Sequence, residues 1–342
     1  MYDEHASPSR RSVLAAAGGA ATVGVAGCLG GGGGSGLDDL TVAHMPIYPD
    51  LQWYVMEGEG YFSAIDAEVT GEEFTDGPAI VQAFGSGDID IAMFGIVPAM
   101  IVIDRGISAQ VTAANIREPM GIMAESSFHE TFESEGADAF ATWREERGRP
   151  FRFGTFPQGS VPDVLLRYWL QEVGVDPASN SDVEIIEING ASAVWQAIAN
   201  DEIDGTSIME PVPTIAEAEG SSVTMLRTAA EILPGQPAAV TLMSDAVRDS
   251  PLAAQFLEQH VRATEFIDAN PDATAQHVEE GIGMPADRAR RALDSPLSNF
   301  ITDPNEITDA TQVFSEFAAG NGQIDEQLST DQIFDLDIYD SL

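Results

Sequence analysis

Apolar positions along this chain alternate between two rhythms over most of residues 40–325. Short β-rich runs, either alternating or continuously apolar, read as strands at 40–43 (LTVA), 67–70 with an extension over 72–74, 89–94, 108–115, 120–124, 151–155, 183–188, 205–209, 223–226 and 238–243. Between them, apolar residues recur every three or four positions behind helix-start signals. Asp50 is expected to cap LQWYVMEGEGYF, which Gly60 ends; Asp76 caps the helix after Gly77-Pro78; another starts at Pro98 and ends near Asp104. A surface helix within 132–148 turns Ala139, Phe140 and Trp143 inward. Ser160 caps VPDVLLRYWLQEVG, with Pro162 and Asp163 in its first turn. After 243 the pattern turns helical: one helix over 245–270, with Leu252, Phe256, His260 and Phe266 on one face, is broken by Pro271, and further helices cover 272–278, 285–293 and 307–319. The final IFDLDIYDSL reads as a short closing element or a frayed end.

One stretch occurs twice. VQAFGSGDIDIAMFGIVP begins at Val81 and WQAIANDEIDGTSIMEPV begins at Trp195, 114 positions later. Gln82 aligns with Gln196, Ala83 with Ala197, Ile89 with Ile203 and Asp90 with Asp204. Each copy is a helix end, a polar turn and a short buried strand. Two such units in a strand–helix alternation predict two α/β lobes of like construction with function in the cleft between them. Asp88 and Asp90 share a strand face, but Glu202 and Asp204 recur at the matching place, and a catalytic carboxylate pair has no reason to be duplicated. These aspartates are read as turn and strand-start residues.

The first residues follow different rules. SRRSVL at 9–14 precedes a short, Gly/Ala-rich apolar run that is weak for a membrane helix, which needs about 20 apolar residues. Arg10–Arg11 resembles a twin-arginine export signal, and Val25-Ala26-Gly27-Cys28 resembles a lipobox. Cys28 is the only cysteine, so no intrachain disulfide forms; it is the expected lipid acceptor, ahead of the GGGGGSG tether. The expected layout is therefore a signal peptide over 1–27, the lipidated cysteine and tether over 28–37, a first lobe over 38–118 plus 238–342, and a second over 119–237. The body would sit on the outer face of the cytoplasmic membrane, held there by its lipid.

Composition narrows the partners. The formal net charge is -41, from 56 acidic residues against 15 basic ones, all of them Arg. That charge opposes nucleic acid and anionic lipid alike. It resembles the composition of proteins from extreme halophiles, in which salt screens the self-repulsion. With 44% apolar residues and regular patterning, disorder is not the reading. No HExxH, GxSxG, Walker or post-strand GxGxxG sequence is present, and the five histidines (His5, His44, His129, His260, His277) lack metal-site spacing. Neither enzyme chemistry, nor a metal, nor a cofactor is expected.

Candidate binding residues follow from the doubly wound pattern, in which ligands sit beyond the carboxyl ends of strands. That selects the loops at 44–49, 75–78 and 94–98, where helix starts offer free N–H groups. His44, Tyr48 and Trp53 are candidates there, against the alternatives of a backbone-bonded loop histidine and a core tryptophan. In the second lobe Gly159 permits close approach of a ligand, and Ser160 offers a hydroxyl or serves only as a cap. Glu210, at a strand end, either accepts hydrogen bonds from a ligand or pairs with an arginine such as Arg117.

The loop and helix at 48–62 with Gly58 and Gly60, together with GDIDIAMFGIVPAM, FGTFPQGS and NDEIDGTSIMEP, resemble the solute-binding proteins of ABC importers in the nitrate/sulfonate/taurine group, whose relatives include thiamine-pyrimidine-precursor (NMT1-like) binders. The resemblance covers about residues 38–325. It implies an α/β fold of the periplasmic-binding-protein-like type II class, two lobes with mixed five-stranded sheets joined by two crossing hinge strands. It further implies a monomeric extracytoplasmic subunit that captures a small solute, such as nitrate, sulfonate or bicarbonate, and delivers it to a permease driven by a cytoplasmic ATPase. By place, its cleft residues correspond to the loop at 44–48, Asp76, Phe94, Gly95 and Val97, Gln158 to Val161, and Glu210. A pyrimidine or other aromatic heterocycle is the alternative solute, favoured by Trp53, Tyr48, Phe94 and Glu210. A sensor lipoprotein without transport is the alternative role, and an enzyme on the same fold would lack the export signal.

Overall fold

The computed structural model describes residues 37–178 and 181–342. The expected signal peptide, Cys28 and all of the tether but Leu37 lie outside the described residues.

The chain builds two five-stranded sheets in succession. The first contains β1 (Asp39–His44), β2 (Glu68–Glu73), β3 (Ile91–Gly95) and β4 (Ala109–Arg117), connected through α1 (Leu51–Gly58), α2 (Gly77–Ser86) and α3 (Ile96–Asp104). The chain then crosses to β5 (Met120–Glu125), α4 (Ser126–Glu135), α5 (Ala139–Arg147), β6 (Phe151–Thr155), α6 (Val161–Glu172), β7 (Val183–Glu187), α7 (Ala191–Ala199), β8 (Gly205–Met209), α8 (Val212–Ala218), β9 (Val223–Thr228) and α9 (Ala229–Ile232). It returns through β10 (Pro237–Ser244) to the first sheet. The helices α10 (Asp245–Arg248), α11 (Pro251–Ala269), α12 (Pro271–Ile282), α13 (Ala286–Leu293), α14 (Thr308–Gly320), α15 (Thr330–Ile333) and α16 (Leu336–Asp340) follow.

The strand orders are β2-β1-β3-β10-β4 and β7-β6-β8-β5-β9. In each sheet four strands run in one direction, and the fourth position is taken by an antiparallel strand that has just crossed from the other sheet. The two crossings touch: Glu118 N–H donates to Gln236 O at 2.9 Å, and Gly235 N–H donates to the Glu118 carboxylate at 2.5 Å.

Most elements lie where the hydrophobic rhythm puts them, and the departures have local causes. Residues 245–270 form two helices because Pro251 has no N–H to continue the first; Ser250 caps the second, accepting from Leu252 N–H at 3.2 Å. The surface helix expected within 132–148 is two helices, broken at Gly136, but Ala139, Phe140 and Trp143 are buried as expected. Asp50 is not a cap: it is fully buried, and its carboxyl accepts from Met45 N–H and Asn115 Nδ2, each at 3.4 Å. Asp76 and Ser160 do cap, accepting from Ala79 N–H at 2.9 Å and Asp163 N–H at 3.4 Å. The C-terminal segment closes the first lobe, with Phe334 buried and bridged to Val111 of β4.

Each lobe has an apolar centre. The second holds an aromatic cluster in which Phe128 and Phe151 lie 4.5 Å apart, Phe151 and Phe153 4.7 Å, and Phe128 and Phe140 5.0 Å. Such pairs add about 0.5–1.5 kcal/mol each beyond area burial. Helix α6 is shared. Leu166, Trp169 and Leu170 face that cluster, whereas Val161, Val164 and Leu165 join the core that runs on into the first lobe.

The repeated aspartates do the same job twice. Asp90 N–H donates to Thr41 O at 3.0 Å, and its Oδ2 accepts from Thr41 N–H at 2.8 Å. Asp204 N–H donates to Arg152 O, and its Oδ2 accepts from Arg152 N–H, both at 2.8 Å. Each aspartate thus fastens the start of the third parallel strand to the first. Asp204 is more deeply buried and also receives both terminal nitrogens of Arg149, Nη2 at 2.7 Å. In urea unfolding at molar salt, Asp204→Ala is expected to cost about 2–4 kcal/mol, because it strands a guanidinium and a buried N–H, and Asp90→Ala about 1–2 kcal/mol. Equal losses would show that the Arg149 pair contributes nothing.

Candidate functional site

The parallel strands of both sheets end at a common crevice, and so does the start of each inserted antiparallel strand. A cavity of about 750 Å³, its open mouth included, lies there. The first lobe supplies Met45, Ile47 and Pro49 after β1, Thr75 to Pro78 after β2, Gly95 and Pro98 after β3, and Ala238 and Ala239 from β10. The second supplies Phe156, Pro157, Gln158 and Ser160 to Pro162 after β6, Asn189 and Gly190 after β7, Met209 of β8 and Met120 of β5. The wall is mainly apolar, with Thr75, Asp76, Gln158, Ser160 and Asn189 as its polar side chains. An apolar wall with a few polar groups suits a small organic molecule.

The loop after β6 is built to stay in place. Gly159 has φ +85°, a left-handed conformation that favours glycine. Its N–H donates to Asp163 Oδ2 at 3.2 Å, while Arg167 Nε donates to Asp163 Oδ1 at 2.7 Å. Burial raises the Asp163 pKa, and the Arg167 charge and the Gly159 N–H act against that rise. Gln158 N–H donates to Glu187 Oε1 at 3.3 Å, tying the loop to β7. The lobes meet here: a Cβ on Gly95 would lie 3.0 Å from Val161 Cγ2.

Behind the loop after β1 lies a buried polar network. Asn115 Oδ1 accepts from Thr241 Oγ1 at 2.8 Å and from His260 Nε2 at 3.1 Å. Gln52 Nε2 donates to Asn115 O at 2.7 Å. Burial pushes Asp50 well above the usual carboxylate range and lowers the His260 pKa to about 3.

Of the residues singled out from sequence, Asp76, Gly95, Gln158, Ser160 and Val161 line the cavity. Gly159 lies between two of them. Phe94 and Val97 are fully buried and do not line the cavity: Phe94 because successive positions at the end of β3 face opposite sides, Val97 because it packs into the core from the first turn of α3. His44 ends β1 and points away from the cavity; its ring stacks on Trp53 with centroids 4.5 Å apart and an interplanar angle of 17°. Trp53 also packs on Phe62 at 4.8 Å. Burial lowers the His44 pKa to about 4. Tyr48 is buried between two lining residues, its hydroxyl 2.8 Å from Ser298 Oγ. Glu210 is buried directly behind Met209, where it accepts from Thr214 Oγ1 at 3.0 Å and Thr214 N–H at 3.2 Å. Arg117 pairs with Glu306 at 2.5 Å rather than with Glu210. Sequence reasoning passed over Asn189–Gly190, which occupies after β7 the place that Thr75–Asp76 occupies after β2; its Asn-Gly turn was the available signal. Met120, Ala238 and Ala239 carried none, since only the strand order brings them to the cleft. Among the described residues no group of three or more His, Cys, Asp or Glu could hold a metal ion, and no helix is long and apolar enough to cross a membrane.

Two α/β lobes with mixed sheets, two crossings and a cavity at the strand ends define the periplasmic-binding-protein-like type II fold. The chain belongs to the NMT1-like family, which it matches over residues 33–282. Curated relatives from Brucella abortus and Brucella suis, named as candidate binding proteins, are 26% identical over 202 residues, 58% of this chain and 57% of theirs. The match thus spans little more than half the length of those relatives. Among solved structures, the periplasmic aliphatic sulphonate-binding protein of Escherichia coli superposes with a TM-score of 0.69 at 16% identity, covering 89% of this chain and 99% of that one. The periplasmic nitrate-binding protein of Synechocystis PCC 6803 has a TM-score of 0.69 at 16% identity, covering 89% and 88%. A zinc-bound ligand-binding component of an ABC-type import system from Staphylococcus aureus has a TM-score of 0.68 at 16% identity, covering 89% and 98%. At such identities the likeness establishes the fold.

The buried histidines predict a pH response. His260 is neutral in the folded protein down to about pH 3, whereas an unfolded histidine takes up its proton near pH 6.5. Its contribution is therefore fully present above pH 6.5 and is lost as pH falls toward 3. Between pH 6 and 4, the unfolding free energy of a His260→Gln variant is expected to fall less steeply than that of the wild type, by up to about 1.4 kcal/mol per pH unit. Parallel slopes in urea titrations would show that His260 is not neutral in the fold.

Proposed function

We propose that this protein is the solute-binding subunit of an ABC importer, which captures a small molecule between its lobes and hands it to a permease driven by a cytoplasmic ATPase. The observation that carries the proposal is that strand-end loops of both lobes line the same cavity, so each lobe holds half of a site. A solute that contacts both halves favours the closed arrangement by its differential affinity for it, and no bond need be made or broken. The short crossings, Arg117 to Met120 and Thr228 to Pro237, are the natural hinges. The cleft contacts we assign are Asp76, Gly95, Gln158, Ser160 and Val161. His44 and Trp53 buttress the loop after β1, and Tyr48 and Glu210 support the floor.

We further infer that the protein works outside the cell as a monomer. Arg10–Arg11, the apolar run and Cys28 support twin-arginine export followed by lipid anchoring, with the Gly-rich stretch after Cys28 as the link to the body. The acidic, lysine-free composition supports a life in high salt.

The test is a thermal-shift and calorimetric screen in molar KCl with nitrate, ethanesulfonate, bicarbonate and aminopyrimidines. A true solute should bind at one site and stabilise the fold by about 2.7 kcal/mol at one hundred times its Kd. Asn189→Trp, at the exposed mouth, should block binding while leaving the unliganded melting temperature within about 2 °C, as expected of a surface substitution. Unchanged binding by that variant would place the site elsewhere. Gly95→Val should wedge the lobes at Val161: small-angle scattering should show a larger radius of gyration with solute than the wild type has, and affinity at least tenfold lower.

A further inference from the structure

We propose that the cleft selects against anions, that Asp76 is the residue responsible, and that the captured solute is uncharged or singly cationic with an apolar body. This rests on the capture reading above and narrows the solutes that reading leaves open. Among the described residues lining the cavity, Asp76 is the one ionisable side chain. Its carboxylate accepts from Ala79 N–H at 2.9 Å and from the Thr75 hydroxyl at 3.3 Å; no guanidinium stands against it.

Four arginines are committed elsewhere. Arg167 serves Asp163, Arg149 serves Asp204, Arg117 serves Glu306, and Arg288 reaches Glu219 at 3.0 Å. Among the described residues no arginine lines the cavity. Glu210, buried behind Met209 and bonded to Thr214, offers an anion no counter-charge. Helix starts do converge on the cleft, those of α2, α3, α6 and α7. However, the first is occupied by the Asp76 carboxylate itself and that of α6 by the Ser160 hydroxyl, while those of α3 and α7 carry no side-chain cap but share the crevice with the Asp76 carboxylate. An entering oxyanion would have to displace a cap or lose its water beside a carboxylate, with no full positive charge in return. The remaining wall suits a neutral body: Met45, Met120, Met209 and Phe156 are polarisable and apolar. Gln158 and Asn189 can each donate or accept a hydrogen bond.

The test uses matched probes that share a body and differ in head-group charge: benzylamine, benzamide and benzenesulfonate, and butylamine, butyramide and butanesulfonate. Calorimetry in 1 M KCl shortens the Debye length to about 3 Å, so the long-range repulsion from the -41 net charge is screened and only contact discrimination remains. For the wild type we expect the amine and the amide of at least one series to bind, with the matching sulfonate at least thirtyfold weaker. Asp76→Asn keeps a side chain able to cap α2. It should strengthen the sulfonate and weaken the amine by about tenfold each, and move the amide less than twofold. Sulfonates binding the wild type as tightly as amides, in a manner abolished by Asn189→Trp, would overturn the charge selection and leave the capture reading intact. So would a selectivity ratio unchanged in Asp76→Asn. If neither these probes nor the earlier screen yields any binding sensitive to Asn189→Trp, the capture reading falls and this inference with it.

Discussion

Each sheet of this protein is completed by a strand that arrives from the other lobe. β5 sits between β8 and β9, and β10 between β3 and β4, each hydrogen-bonded on both sides. Backbone N–H and C=O groups inside a sheet have to be paired. Neither sheet is therefore complete without the crossing chain, and the lobes are joined at two points. The same insertion sets the cleft. Because the inserted strands run antiparallel, their first residues, Met120 and Ala238–Ala239, meet the last residues of the parallel strands at one crevice. Topology thus gathers parts of a single wall from sequence positions nearly two hundred residues apart.

Charge is placed with economy around that crevice. Three buried or partly buried carboxylates near it have structural work: Asp163 holds the loop after β6, Asp50 belongs to the network around Asn115, and Glu210 is bonded to Thr214. Among the described residues, Asp76 is the carboxylate that lines the cavity. Most of the remaining acid is on the outside, where water and salt can reach it. The aromatic residues are divided in a similar way. The dense ring cluster of the second lobe stabilises that lobe from within, and among the described aromatic residues Phe156 alone reaches the wall.

The particular errors in reading the sequence have a common origin. Asp50 has the residue type and position of a cap, yet it is drawn into the interior by Asn115, a residue from a different strand. His44 and Trp53 occupy a plausible binding loop and helix, but the ring of one stacks on the ring of the other behind β1. Phe94 and Val97 lie next to lining residues but are themselves buried in the core. By contrast, Asp76 and Ser160 were legible because a cap is a local matter, decided by one side chain and an N–H three residues on. Asp90 and Asp204 were legible as structural residues because their repetition argued against chemistry, although their fastening of the third strand to the first is visible only in the fold.

What the sequence determined by itself was therefore everything governed by short range: the alternation of strand and helix, the helix starts, the two equivalent units and the strand-end loops at which a ligand would sit. What only the tertiary structure decided was which side of each loop faces the cavity, which carboxylates are spoken for, and that Met120, Ala238 and Ala239 belong to the wall at all. The physical reason is that burial and pairing are properties of neighbours brought together in space. The pattern of a single strand carries its period, but not the identity of the strand that will be hydrogen-bonded beside it.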